Sequence, residues 1–411
     1  MSDYKLMIGD CVERLKELPD ASIDAVVTDP PYGLSKQPDM AEVMRHWLNG
    51  DDYKHTGAGF MGKSWDSFVP GPSVWRECFR VLKPGGHLLA FFGSRTYDIG
   101  ALAIRLAGFE VRDQIMWVYG SGFPKSLDVS KAIDKAAGAK RKVIGQRKQR
   151  ANSSASLVVM NASVGESELI TAPATEAAKQ WQGWGTALKP AHEPIVMARK
   201  PISTTVAANV LEHGTGAINV DGCRVKTDEK TERPQKSFCH AKTETRVITG
   251  GHDGLGRFPA NFIHDGSDEA TQDLGEASRY FYCAKASKRD RDEGCENMPM
   301  ITHQSGMGGD MPTDDTGKDR DRFKAQSRNH HPTVKPTDLM RYLVRMVTPP
   351  NGTVLDPFTG SGSTGKACMI EGFDFVGCEL SDEYAEIAKA RIEHAKNQKP
   401  EPKPQSDLFN D

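Results

Sequence analysis

Thr353-Val354-Leu355-Asp356-Pro357-Phe358-Thr359-Gly360-Ser361-Gly362-Ser363-Thr364-Gly365 is the stretch from which the fold can be read. A short apolar strand pattern runs into Gly360-x-Gly362-x-x-Gly365, and a helix pattern follows from Lys366 to Glu371. Strand, glycine loop and helix in that order form a dinucleotide-type fingerprint. The acid expected about 20 residues further on is Glu379, followed by Leu380, at the tip of the next strand pattern. A nucleoside-containing cofactor is therefore expected. The alternative is a glycine-rich strand–helix turn without a ligand, because single matches to this motif are common. A pyrophosphate needs the helix N-terminus free, and a carboxylate at Asp356 would repel it. The same carboxylate suits a ligand with a cationic amine, such as the methionine part of S-adenosylmethionine (AdoMet), so AdoMet is favoured over NAD.

Working outward, strand patterns at Lys5–Ile8, Ile23–Thr28, His87–Phe92, Val111–Tyr119 and Glu193–Ala198 are nearly all apolar, and helix patterns separate most of them. That alternation predicts an α/β fold, a mostly parallel sheet with helices on both faces. Lys83-Pro84-Gly85-Gly86 reads as a stop between helix and strand, and the polar, glycine-rich residues 34–71 read as a mobile loop. The ordered core would comprise 1–120, 191–204 and 329–395. Residues 121–190 and 205–328 read as insertions, and 396–411 as a disordered tail.

A second unusual loop follows the Ile23–Thr28 strand: Asp29-Pro30-Pro31-Tyr32. Proline has a fixed φ and no N–H, so the pair stiffens the turn and leaves carbonyl oxygens free to accept. A carboxylate, a free carbonyl and a flat ring could grip a planar group that carries an amine. A strand cap with a tight turn is the plainer alternative. In an open parallel sheet ligands bind beyond the carboxyl ends of strands, at the switch point of strand order. Asp29 and Asp356 both end strands, so one crevice could serve both loops.

The 411 residues, 38% hydrophobic and 26% charged, fit a soluble globular chain with a real core. No apolar run approaches the roughly 18 residues that span a bilayer, and the start has no secretory signal pattern. The eight cysteines show no Cys-x-x-Cys pair, which fits reduced thiols in the cytoplasm. The histidines and cysteines between Cys223 and Cys295 match no zinc spacing, so no metal site is expected. The formal net charge of -2 means that any nucleic-acid surface must be local. Lys140, Arg141, Lys142, Arg147 and Lys148 form one basic cluster. Lys285, Lys288 and Arg289 follow Tyr280-Phe281-Tyr282 as a second aromatic–basic candidate. Asp290, Asp292 and Glu293 favour reading that second segment as a solvated charged loop.

With Asp-Pro-Pro-Tyr preceding Asp-Pro-Phe-x-Gly-Ser-Gly, the chain resembles DNA amino-methyltransferases of the permuted, beta-type order. The resemblance covers about 1–120, 190–202 and 329–395. It implies a Rossmann-like methyltransferase fold with a seven-stranded sheet and an inserted target-recognition region. It also implies AdoMet as cofactor, double-stranded DNA as partner, and a cytoplasmic, nucleoid-associated location. A homodimer and a companion restriction endonuclease are further expected partners. Asp29 and the Pro30 carbonyl would accept the hydrogens of an exocyclic amine on a flipped-out base, Pro31 would stiffen the turn, and Tyr32 would stack on the base. Asp10 and Cys11 would line the adenine side, and Glu379 with Leu380 the ribose side. Asp356, Pro357, Phe358, Gly360, Ser361, Gly362, Ser363 and Thr364, with Thr333 and Lys335, would hold the methionine end. For Lys335 a solvated lysine beside two prolines is an equal alternative. Asp at position 29 usually accompanies adenine N6 in this family, and Ser cytosine N4. The rival classes are an NAD-type oxidoreductase and a DNA-binding regulator on an inactive methylase fold.

Overall fold

The computed structural model describes residues 2–34, 37–55, 64–120, 122, 126–147, 168–226, 256–284, 288–304 and 324–398. Its strands are β1 (Tyr4–Ile8), β2 (Ile23–Thr28), β3 (Leu82–Phe91), β4 (Glu110–Val118), β5 (Lys142–Arg147), β6 (Glu168–Ala172), β7 (His192–Arg199), β8 (Phe262–His264), β9 (Tyr282–Cys283), β10 (Ile301–Gln304), β11 (Lys324–Ser327), β12 (Thr353–Asp356) and β13 (Asp374–Glu379). Nine of them form one sheet in the order β1-β13-β12-β2-β3-β7-β4-β8-β9. All neighbours are parallel except at β7, which runs antiparallel to both β3 and β4. The sheet is wider than the seven strands expected. The 205–328 region supplies β8 and β9, which pair in parallel beyond β4 and so extend the sheet.

Side chains alternate between the two faces, as the pleat requires. On one face Val26, Leu88, Ala90, Val196 and Ala198 pack with Leu15, Trp47, Trp75 and Ile104. On the other, Ala25, Val27, Leu89, Phe91, Ile195 and Met197 meet Leu343, Cys368 and Ile392. Covering both faces is why the strands read as almost continuous apolar runs. Among the described residues no helix is long and apolar enough to cross a membrane.

Two local expectations are corrected. Residues 34–71 are not simply a loop: Met40–Asn49 is a helix capped by Asp39 and closed by Gly50 at φ 96°, with Val43 and Trp47 buried one turn apart. Lys83–Gly86 does not end an element but bulges within β3, whose register to β2 jumps between Ile23–Leu82 and Ala25–His87. Gly85, at φ +78°, takes the left-handed turn that a bulge demands.

Connections place the crevice. From β12 the chain crosses to β13 on one side, and from β2 to β3 on the other, so strand order reverses between β12 and β2. Ligands of open α/β sheets bind at such switch points.

Candidate active site

Four acids stand at the carboxyl ends of four consecutive parallel strands. Asp10 follows β1, Glu379 ends β13, Asp356 ends β12, and Asp29 follows β2. Strand spacing sets the first and last about 14 Å apart. The Gly9 N–H donates to the Glu379 carbonyl at 2.8 Å, and Thr28 Oγ1 donates to Asp356 Oδ1 at 2.6 Å. The two loops singled out in the sequence thus share one edge.

The glycine loop is braced from within the protein. Asp356 accepts from Thr28 Oγ1, from the Phe358 N–H at 3.0 Å and from Thr364 Oγ1 at 2.6 Å. Ser361 Oγ and Ser363 Oγ accept from Arg391 Nη1 at 3.1 and 3.2 Å, and the Ser361 carbonyl does so at 2.6 Å. These side chains, expected to face the cofactor, therefore point inward. Gly360, at φ +51°, lies against His331, whose Nε2 a Cβ there would meet at 2.8 Å. Gly362 and Gly365 lie against Ala388 and Ile392 of the last helix, Asp382–Asn397. Two of the three motif glycines thus serve helix packing rather than approach to a ligand. Pro357 is buried, and the half-buried Phe358 ring meets Trp75 edge-on at 6.3 Å.

Glu379 Oε2 accepts the Gly360 N–H at 2.7 Å and Oε1 the Ser381 N–H at 2.9 Å. Each oxygen keeps a lone pair for a ligand hydroxyl. Asp10 caps the helix Cys11–Leu15 through Oδ1, which accepts from the Val12 and Glu13 N–H groups. Cys11 is half-buried behind it, its thiol pushed up to about 12 by burial and by Asp10. Ile8 and Leu380, 50% and 63% exposed at neighbouring strand ends, leave an apolar ledge there. Thr333 is exposed, and its backbone carbonyl bonds His331 Nδ1 at 2.8 Å. Burial pushes the His331 imidazole down to about 3, so it stands neutral over the loop.

Burial raises the Asp356 carboxyl to about 6, against the three hydrogen bonds that favour its charged form. A carboxyl raised in the folded state adds stability that is full below the ordinary carboxylate range and lost as pH rises through about 6. Asn fits all three contacts if its amide oxygen faces Thr28 and the Phe358 N–H, and its NH2 faces Thr364 Oγ1. Asp356→Asn is therefore expected to gain melting temperature relative to wild type between pH 5 and pH 8. A relative loss over that range would contradict the assignment.

The Asp29–Tyr32 turn is held by groups the sequence reading missed. Asp66 Oδ1 accepts the N–H of Tyr32 at 2.8 Å and of Gly33 at 3.0 Å, and Thr96 Oγ1 donates to the Tyr32 carbonyl at 2.7 Å. Gly33 sits at φ +59°, and a Cβ there would lie 2.8 Å from the Phe68 Cα. Pro30 is buried and Pro31 half-buried. The Tyr32 hydroxyl lies 2.8 Å from Asp29 Oδ1 and 2.8 Å from Glu193 Oε2. Lys335 is buried rather than solvated. Its Nζ is 2.6 Å from Asp29 Oδ2 and 3.3 Å from Glu193 Oε2, over the rings of Tyr32 and Phe91. Burial alone would lower this ammonium, but the two carboxylates outweigh it and raise it. Glu193 is the second residue of β7, the antiparallel strand, so it arrives at this edge from a strand's amino end.

The charged segment around Asp290 is not a solvated loop. Helix Lys288–Asp292 wedges between cofactor-side elements: Lys366 Nζ donates to Asp290 at 2.7 Å and to Glu293 at 2.8 Å, and Thr337 donates to Asp290. Arg141 is likewise committed. Its Nη1 donates to the buried Asp134 at 2.6 Å and its Nε to Thr171 Oγ1 at 2.9 Å, tying the β5–β6 hairpin to helix Val129–Ala136. It is thus unavailable to phosphate, whereas Lys140 and Lys142 are exposed. Lys148 and Lys285 lie outside the described residues, as do the side chains of Arg147, Lys288 and Arg289.

A doubly covered sheet with two acid-bearing loops at its switch point defines a nucleoside-cofactor enzyme architecture. The DNA methylase model N6_N4_Mtase matches residues 23–390, and the chain belongs to that family. The putative methylase YubD of Escherichia coli K12 is 40% identical over 70 residues, 17% of this chain and 31% of YubD. The DNA adenine methyltransferase YhdJ of the same organism is 34% identical over 76 residues, 18% of this chain and 26% of YhdJ. Both matches span less than a third of those relatives. The type II methyltransferase M.HindIII of Haemophilus influenzae is 21% identical across 95% of both chains. A solved M1.HpyAVI–SAM complex aligns over 95% of this chain and 98% of its own, at 16% identity and a TM-score of 0.39.

Proposed function

We propose that the protein methylates DNA, moving the methyl group of AdoMet to the exocyclic N6 of an adenine flipped out of the duplex. The observation that carries this reading is the row Asp10, Glu379, Asp356, Asp29 along one sheet edge. The ledge of Ile8 and Leu380 with Asp10 suits adenine, the free lone pairs of Glu379 suit ribose hydroxyls, and the carboxyl ends of β12 and β2 suit an ammonium-bearing tail. AdoMet supplies an electrophilic methyl on a sulfonium. Asp29 would orient the target amine, whose lone pair then faces that methyl, and Tyr32 would swing out to stack on the base. Positioning and electrostatics carry such a transfer without a covalent enzyme intermediate. Thiol attack on a cytosine ring fits poorly, since burial and neighbouring groups raise both the Cys11 and Cys78 thiols.

Asp at position 29 favours adenine N6; cytosine N4 is the second reading, because an amine of the same geometry fits the same carboxylate. Exposed Lys140 and Lys142 suit contact with DNA phosphates. The same reading places the protein in the bacterial cytoplasm, with the permuted motif order, a homodimer and a companion restriction endonuclease as its further parts. Single-molecule sequencing of DNA from cells expressing the protein should show modified adenines in one sequence context. Unmodified DNA would contradict the reading, and modified cytosines would select its alternative.

A further inference from the structure

Exposed apolar side chains collect where the chain returns to the sheet ahead of β7. Trp181 is 41% exposed, Leu127 57%, Trp184 60% and Leu188 93%. Three of them are neighbours rather than scattered residues: the two indoles meet edge-on at 5.1 Å, and Trp184 and Leu127 line one cleft with Ser126 and Gly185. The segment that carries Leu188 is pinned on both sides. Ser126 Oγ accepts the N–H of Thr186 at 2.9 Å and of Ala187 at 3.2 Å, and Thr186 Oγ1 accepts the Leu127 N–H at 3.0 Å. Beyond Leu188, Lys189 Nζ donates to the Gly120 carbonyl. Leu188 is thus held between fixed points with its side chain left almost wholly in water. Burying a leucine is worth about 1.5–3 kcal/mol, and the folded chain alone leaves that gain untaken here.

The place of Leu188 in the fold points to what takes it. Because β7 runs antiparallel to β3 and β4, the residues ahead of it lie beyond the carboxyl ends of those strands, the edge that carries Asp29. Five positions, at most about 17 Å of chain, separate Leu188 from Glu193, whose Oε2 lies 2.8 Å from the Tyr32 hydroxyl. Duplex DNA that presents a base to Asp29 has to lie over this edge. Resting on the DNA-methylation reading, we propose that Leu188 is a wedge that enters the base stack where the target base leaves it. Apolar side chains inserted between base steps hold a duplex open in this way. The cost offset is that of unpairing and unstacking the target, which is a few kcal/mol and least for a base already mispaired. The wedge acts on the duplex and not on the reacting atoms, and it leaves the Asp29–Tyr32 turn as it stands.

The test compares the full chain with Leu188→Ala and Leu188→Met on two duplexes that carry the sequence context found by sequencing. The target base is correctly paired in one and mismatched in the other. Methyl-transfer kcat/KM on each duplex and melting temperature are measured for all three proteins. The expected result for Leu188→Ala is a loss of at least about tenfold on the paired duplex and less than about threefold on the mismatched one. Its melting temperature should not change, and Leu188→Met, which keeps an apolar side chain of similar reach, should restore transfer to the paired duplex. Equal losses on the two duplexes overturn the proposal, because Leu188 would then add only general affinity for DNA. So does transfer to the paired duplex at the wild-type rate, or a loss matched by a lower melting temperature. In each of those cases wild-type transfer leaves the methylation reading standing. If the wild-type chain transfers no methyl group to either duplex, that reading falls, and the wedge falls with it.

Discussion

Replacing Asp29 with Ala is expected to abolish methyl transfer, lowering kcat by at least about 10³-fold while AdoMet and DNA binding persist. Removing one preorganised contact to the developing charge takes about 10²–10³ from a rate, and losing a proton acceptor adds to that. The fold should survive because Lys335 keeps a partner: Glu193 stays 3.3 Å from its Nζ, so no buried ammonium is left uncompensated. Rapid-quench transfer assays beside calorimetric binding would check this. Residual activity above a few per cent of wild type would show that the turn does not hold the reacting amine.

The second large effect is expected at Arg391, fully buried on the last helix. Its guanidinium donates to the Ser361 carbonyl and to both loop serines, and its Nη2 donates to the Asp290 carbonyl at 3.1 Å. Arg391→Ala strands several buried acceptors and weakens the join between the 288–293 wedge and the glycine loop. Breaking a buried charged network costs about 3–5 kcal/mol. AdoMet affinity should fall at least about tenfold because the loop loses its brace. Urea unfolding with and without AdoMet reads both quantities. A stability change below about 1 kcal/mol would mean that Ser361 and Ser363 need no internal support.

How much of this was legible in the chain depends on where each residue's partner lies. Asp29, Asp356 and Glu379 could be read because each ends an apolar strand, and local pattern alone puts strand ends at one edge. Glu193 could not, since its position depends on β7 running backwards, which no local spacing reveals. Arg141 sits in a basic run that reads as a phosphate surface, yet Asp134 and Thr171 claim it in three dimensions. Lys335 reads equally as a holder of the methionine end or as a solvated lysine beside two prolines, and only the fold brings it to Asp29, 306 positions away. The helix Met40–Asn49 did leave signals, an Asp39 cap, Val43 and Trp47 at helical spacing and a Gly50 stop, which the polar surroundings masked. The glycine motif was legible as a motif but not in its purpose, because the Cβ-excluding neighbours of Gly362 and Gly365 belong to a helix that follows later.

One sheet edge brings the Asp29 turn and the glycine loop together, and transfer to an exocyclic amine is its proposed use. The most direct measurement is to incubate the purified chain with unmodified duplex DNA and AdoMet, digest the DNA to nucleosides and identify the product by mass and chromatography. N6-methyladenine is the expected new nucleoside. A ring-carbon product such as 5-methylcytosine, or no methylated nucleoside at all, would contradict it.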